Sequence, residues 1–190
     1  MLLTAARPAL ANALNFGSEA CNSTIDSQCV AKTGSLVWYP SGVNASIVAD
    51  FQWVDTNKYD PIAYVQMIKT TSPSSADTWI YDDNYGLNGI RAFTRCSLTA
   101  SYGTRNGETW CEPQIIGFNN GQYPGEYNNY YERRFVACHE IAHILGLHHP
   151  SPPNSSCITD IALASPLSEY SSRQGLLQHD IDHLEGFYEF

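Results

Sequence analysis

"ACHEIAHILGLHHP" (137–150) holds four of the six histidines in this 190-residue chain, and its reading decides the fold. His139 and His143 stand four residues apart. On a helix such positions lie one above the other on one face, so the two imidazoles project together and can share a zinc ion at about 2.0–2.1 Å. Glu140 lies beside that ion without binding it, where a carboxylate can take a proton from zinc-bound water and later hand it to a leaving amine. A tetrahedral site needs a further protein ligand. Gly146 can adopt positive φ without a Cβ clash and turn the chain back, which brings in His149 three residues later. Counting from Gly146 selects His149 over His148, which is expected to be solvated or to line a cleft. The whole pattern is H-E-x-x-H-x-x-G-x-x-H. Glu169 and Glu185 are alternative third ligands by type, but the glycine and histidine spacing favours His149.

Composition narrows the classes. With 43% hydrophobic residues the chain folds, and its length suits one domain with a real core. The net charge is −9, and no basic cluster is longer than Arg133-Arg134, which argues against a nucleic-acid partner. No apolar run approaches the roughly 20 residues of a membrane span. The six cysteines form no CxxC pair. An even, widely spaced set suggests disulfides and an oxidising compartment, hence secretion to the extracellular space. The start, "MLLTAARPALANALN", has small residues suited to a signal peptidase, but Arg7 and Pro8 break its apolar run, so it reads as a signal remnant or a near-mature end. A monomer is the default expectation.

Along the chain, Ile47, Val48, Phe51 and Val54 recur at helical spacing and predict a helix over 44–54. Strands are expected over 63–70, 77–83 and 89–96, the last with Ile90, Ala92 and Thr94 opposed to a wet face of Arg91, Phe93 and Arg95. A Gly-rich excursion leads to a short apolar strand at 113–119. A helix beginning after Gly125 carries the histidines until Gly146 ends it. A last helix over about 175–188 places Leu177, Ile181, Leu184 and Phe187 on one stripe. This order predicts an α+β or α/β fold with mixed rather than purely parallel strand pairing. "HDIDH" sets His179 and His183 four apart, but no third ligand is obvious, and an exposed polar face is expected. "YDDNYG" (81–86) offers acidic oxygens for a structural calcium but lacks a full loop spacing, so a polar turn is the expectation.

The zinc signature resembles that of the metzincin metallopeptidases, among them the small secreted bacterial-type and matrixin-like catalytic domains. The resemblance runs from about Leu36 to the end and is strongest at the signature. It implies a zincin fold: a twisted mixed sheet, an active-site helix and a smaller irregular C-terminal part ending in a helix. Residues 1–34 would be an N-terminal extension with a Cys21–Cys29 loop. Residues 35–190 would be the catalytic domain, with an upper part (35–146) and a lower part (147–190). It implies one zinc on His139, His143 and His149, Glu140 as general base and acid, and a protein or peptide substrate. Gly89, Ile90, Arg91, Ala92 and Phe93 would line the non-primed cleft, and Tyr170 would wall the S1′ pocket with Leu163 and Leu167. The family's methionine beneath the zinc has no counterpart, since the only methionines are Met1 and Met67; Ile158 in "SSCIT" stands in its place as an apolar floor. Cys138–Cys157 would then staple that turn to the active-site helix, Cys96–Cys111 would close the excursion, and Cys21 would pair with Cys29. Six cysteines allow 15 connectivities, so these pairs follow from the resemblance and from position. The expected activity is that of a secreted zinc endopeptidase. The alternatives are a non-catalytic zinc module that binds peptide and a zinc amidohydrolase acting on a non-protein amide.

Overall fold

The β-branched and aromatic run "SLVWYP" forms strand β1 (Ser35–Pro40), an element that periodicity alone did not announce. The computed structural model describes residues 16–17, 21–24, 29–86, 89–122, 129–160 and 167–189. Helix α1 (Ala45–Val54) follows, its entry capped by the Asn44 side chain, which accepts from the Ser46 amide. Strands β2 (Gln66–Lys69) and β3 (Thr78–Asp83) come next, then β4 (Ala92–Arg105) and β5 (Glu108–Asn119). Helices α2 (Tyr130–Ile144), α3 (Leu167–Ser172) and α4 (Gln178–Tyr188) complete the chain. The five strands form one sheet in the order β2-β1-β3-β5-β4. Only β4–β5 is antiparallel, so the sheet is mixed and mostly parallel, within an α+β fold.

Three expectations are corrected here. The short strands at 89–96 and 113–119 are the inner halves of a long hairpin, and the supposed excursion is its outer half. Asn106 and Gly107 both take positive φ between the paired Arg105 and Glu108, as a two-residue hairpin turn requires. The outer half escaped notice because its exposed residues carry no apolar alternation. The wet face on 89–96 is also absent: Arg91, Ala92, Phe93, Thr94 and Cys96 are all buried. Helix α2 covers one side of β4, and on the other Phe93 lies against Gly117, where a Cβ would come within 2.3 Å of the Phe93 ring. The last helix starts at Gln178, three residues later than expected, because Asp180 accepts from the Leu177 amide and fixes the first turn there.

The core lies between the sheet and the α1/α2 pair. Trp38 and Phe51 are fully buried with ring centroids 4.8 Å apart. At its end α1 widens into a π turn (Asp55–Tyr59), which sends two polar side chains inward. Tyr59 Oη donates to the Cys138 carbonyl on α2 at 2.6 Å, and Trp38 Nε1 donates to Asp55 Oδ2 at 3.1 Å. Disulfides join Cys21 to Cys29, Cys96 to Cys111 and Cys138 to Cys157. No helix among the described residues is long and apolar enough to cross a membrane. Residues 1–15, which include the signal-like start, and Leu163 lie outside the described residues.

Asp55 yields a prediction about pH. Burial pushes its carboxyl up to about 7, against the Trp38 bond that lowers it and with Asp60 adding to the rise. Between the ordinary value of 3.8 and about 7 the folded state therefore binds more protons than the unfolded one, and stability falls as pH rises through that window. Asp55→Asn keeps an oxygen for Trp38 and removes the charge. It should be more stable than the parent at pH 8 by on the order of 1–3 kcal/mol, with the difference vanishing near pH 4. Urea denaturation at the two pH values reads this; a variant less stable at pH 8 contradicts it.

Candidate metal centre

Helix α2 is capped by Asn129, whose side chain accepts from the Glu132 amide, and it ends as the glycine signal requires. Gly146 has φ 96°, its amide donates to the His143 carbonyl, and the Leu147 amide donates to the Ala142 carbonyl, a Schellman closure. The chain thereby reverses and returns His149 to the face of α2 that carries His139 and His143. The three Nε2 atoms lie 3.0, 3.1 and 3.0 Å from one another.

Each opposite ring nitrogen is occupied. His139 Nδ1 donates to the Cys157 carbonyl at 2.9 Å and His143 Nδ1 to the Leu147 carbonyl at 2.7 Å. His149 Nδ1 lies 3.1 Å from Asp160 Oδ2. Because these oxygens accept, the Nδ1 atoms carry the protons and three Nε2 lone pairs meet at one point. Lone pairs so placed repel unless a cation lies among them. Three nitrogens bound tetrahedrally to one zinc at this bond length would be about 3.3 Å apart, close to the spacing here, so the donor set fits that ion. Burial lowers His139 to about 4, with His149 adding to the effect, and burial first and His139 second hold His143 well below its ordinary range. Both rings are thus neutral at physiological pH, the state a metal ligand needs.

The triad opens on a cleft of about 290 Å³. Gly89, Ile90, Arg91, Ala92 and Thr94 line one wall, and the three histidines, Glu140 and Asp160 line the other. Strand β4 forms the sheet edge at this cleft. Of the residues expected along the cleft, Phe93 is elsewhere, on the opposite face against Gly117 and Tyr85. The reason is the two-residue period of a strand, which sends Ala92 and Thr94 one way and Phe93 the other. Tyr170 is also corrected as a pocket wall. It is fully buried behind the cleft, edge-on to Phe135 at 5.6 Å, with its hydroxyl on the Arg91 guanidinium. Arg91 in turn donates from Nε to the buried Glu132 Oε1 at 2.6 Å, tying the start of β4 to α2.

Ile158 is fully buried in a tight turn at 156–159, directly after the Cys157 carbonyl that holds His139. His148 is not solvated: it is buried and its Nε2 donates to the Gly17 carbonyl at 2.9 Å, while the Gly17 amide donates to the Gly146 carbonyl. The doubled histidine therefore has two occupations, His149 completing the triad and His148 fastening Phe16–Gly17 to the turn. His183 is buried as well, which corrects the exposed polar face expected on α4. In "YDDNYG", Asp82 accepts from the Asn44 amide and Asp83 from the Asn84 amide, and no third ligand joins them among the described residues.

Asp160 escaped the sequence reading. Its only signal was an acid two residues beyond Ile158, in "CITD". It is a charged partner of a triad histidine, and such partners orient the ring and raise its basicity. Since its carboxylate is open to solvent, Asp160→Ala should weaken zinc binding by about 10-fold, the lower end of the usual range for such partners. Competition against a chromophoric chelator measures this, and an unchanged affinity refutes the orienting role.

No family model matches this chain, and no curated protein matches it. Among solved structures it is similar to myroilysin, with 13% identity and a TM-score of 0.40, over 72% of this chain and 58% of that one. The chain thus spans less than two thirds of myroilysin's length. It is also similar to archaemetzincin from Archaeoglobus fulgidus, complexed with malonate, with 13% identity and a TM-score of 0.43 over 78% and 98% of the two chains.

Proposed function

We propose that the chain is a secreted, monomeric zinc-dependent endopeptidase of metzincin type, with residues 35–190 as its catalytic part. The observation that carries this reading is the convergence of three Nε2 lone pairs, from His139, His143 and His149, on a cleft that also holds Glu140. Zinc held there supplies a Lewis acid that polarises a carbonyl and makes water nucleophilic at neutral pH. Glu140 takes the proton of the attacking water and returns it to the departing amine. The β4 edge beside Gly89, Ile90, Arg91 and Ala92 offers backbone groups to an extended peptide, which adds to a sheet edge through main-chain bonds. Ile158 serves as the apolar floor under the ion, braced by Cys138–Cys157. Three disulfides support an oxidising, extracellular location.

Casein and a peptide library, each with and without a chelator, test the reading. Chelator-sensitive cleavage at internal peptide bonds is expected, restored by one equivalent of zinc. A chain that keeps its zinc and binds peptides without cutting them is a binding module, and one that cuts small amides alone is an amidohydrolase.

A further inference from the structure

Helix α4 repeats the geometry of the main centre at a second place. His179 and His183 lie on successive turns with Nε2 atoms 3.3 Å apart, against 3.0 Å for His139 and His143, and the ring centroids are 4.5 Å apart in both pairs. Asp180 lies beside the pair and is almost wholly buried. Its Oδ2 accepts from Ser156 Oγ at 2.9 Å and from the Leu177 amide at 3.0 Å. Its Oδ1 faces His179 Nδ1 at 3.6 Å. A fixed carboxylate on the Nδ1 side favours the proton there and leaves Nε2 as the donor atom, the arrangement that supports metal-bound histidines. His183 is held by stacking on Phe16, with centroids 6.0 Å apart, so its ring is also placed in advance.

We propose that His179 and His183 form a second, weaker site for a late first-row divalent cation such as zinc, nickel or copper, with solvent completing the coordination. A pair of imidazole nitrogens suits these ions and disfavours calcium or magnesium, which prefer oxygen. The pair stands apart from the cleft residues, so the site is independent of the proposed hydrolysis. It is nonetheless linked to the main centre, because Asp180 holds Ser156, the residue before the Cys157 carbonyl that orients His139.

Equilibrium dialysis of the purified full chain against graded free zinc, with metal analysis, tests the site. Wild type should take up a second ion after the first is saturated, and His179→Gln should lose that second uptake while keeping the first. His143→Ala should retain the His179/His183 ion, which separates failure of this site from failure of the main centre. In nitrogen NMR of the wild type, the His179 and His183 ring signals should shift as the second ion binds, a readout that does not depend on any variant folding. Equal uptake by wild type and His179→Gln, or ring signals that stay in place, overturns the proposal.

Discussion

Glu140→Gln is expected to lower peptide hydrolysis by about 10²–10⁴-fold, the usual contribution of a positioned acid–base group, while zinc content stays at that of the parent. Glu140 follows His139 on α2, and its carboxyl faces the cleft without joining the three converging nitrogens. Glutamine keeps the shape and the buried packing but can no longer accept a proton from water. Steady-state kcat/KM on one peptide, with metal analysis of the same samples, separates the two effects. A drop in activity accompanied by loss of zinc would make Glu140 a support of the metal site. Activity unchanged within a factor of three would remove it from the chemistry.

The second large effect concerns stability. Arg91→Ala should destabilise the fold by about 3–5 kcal/mol, because it strands Glu132, which is fully buried, without its cation. Burial pushes the Glu132 carboxyl up, and the Arg91 hydrogen bond and charge hold that rise in check. Without Arg91 the rise grows, so the folded variant retains a proton that the unfolded chain releases above its ordinary value of 4.5. Stability of the variant then falls as pH rises through that region, and its deficit against the parent is smallest in acid. Urea denaturation at pH 4 and pH 8 measures both terms. Replacing Arg91 and Glu132 together by leucine should recover much of the loss, since no buried charge is left alone. A deficit under about 1 kcal/mol at pH 8 would mean that water reaches Glu132. The outcome also bears on Arg91 as a cleft residue, because its guanidinium lines the cavity while bonded on its inner side to Glu132 and Tyr170.

Much of the site was legible because local geometry specifies it. A four-residue spacing on a helix, a glycine able to take φ 96° and a histidine three residues on need no distant partner to be recognised. The α1 helix was readable for the same reason, since its apolar stripe recurs within one element. The hairpin was only half readable: residues 101–105 are held by pairing with β5, and many of the side chains over 97–105 face solvent, so they carry no burial pattern. Phe93 was misplaced because the cleft wall was read as a continuous segment, although a strand offers only alternate residues to one side. Tyr170 was expected in the wall of the S1′ pocket and His183 on an exposed polar face, whereas packing against Phe135 and Phe16 buries them.

The sequence by itself determined which three histidines converge, that Glu140 stands beside them and where the turn that joins them lies, since all lie within one short stretch ruled by helical periodicity and glycine's backbone freedom. Only the tertiary structure decided what surrounds them. The acceptors on the three Nδ1 atoms include Cys157, 18 residues from His139, and Asp160, and the cleft wall comes from the start of β4 at Ala92, well before the helix begins at Tyr130. Tautomer, ring orientation and burial are properties of such contacts, and contacts between segments distant in the chain leave no period in the sequence to be read.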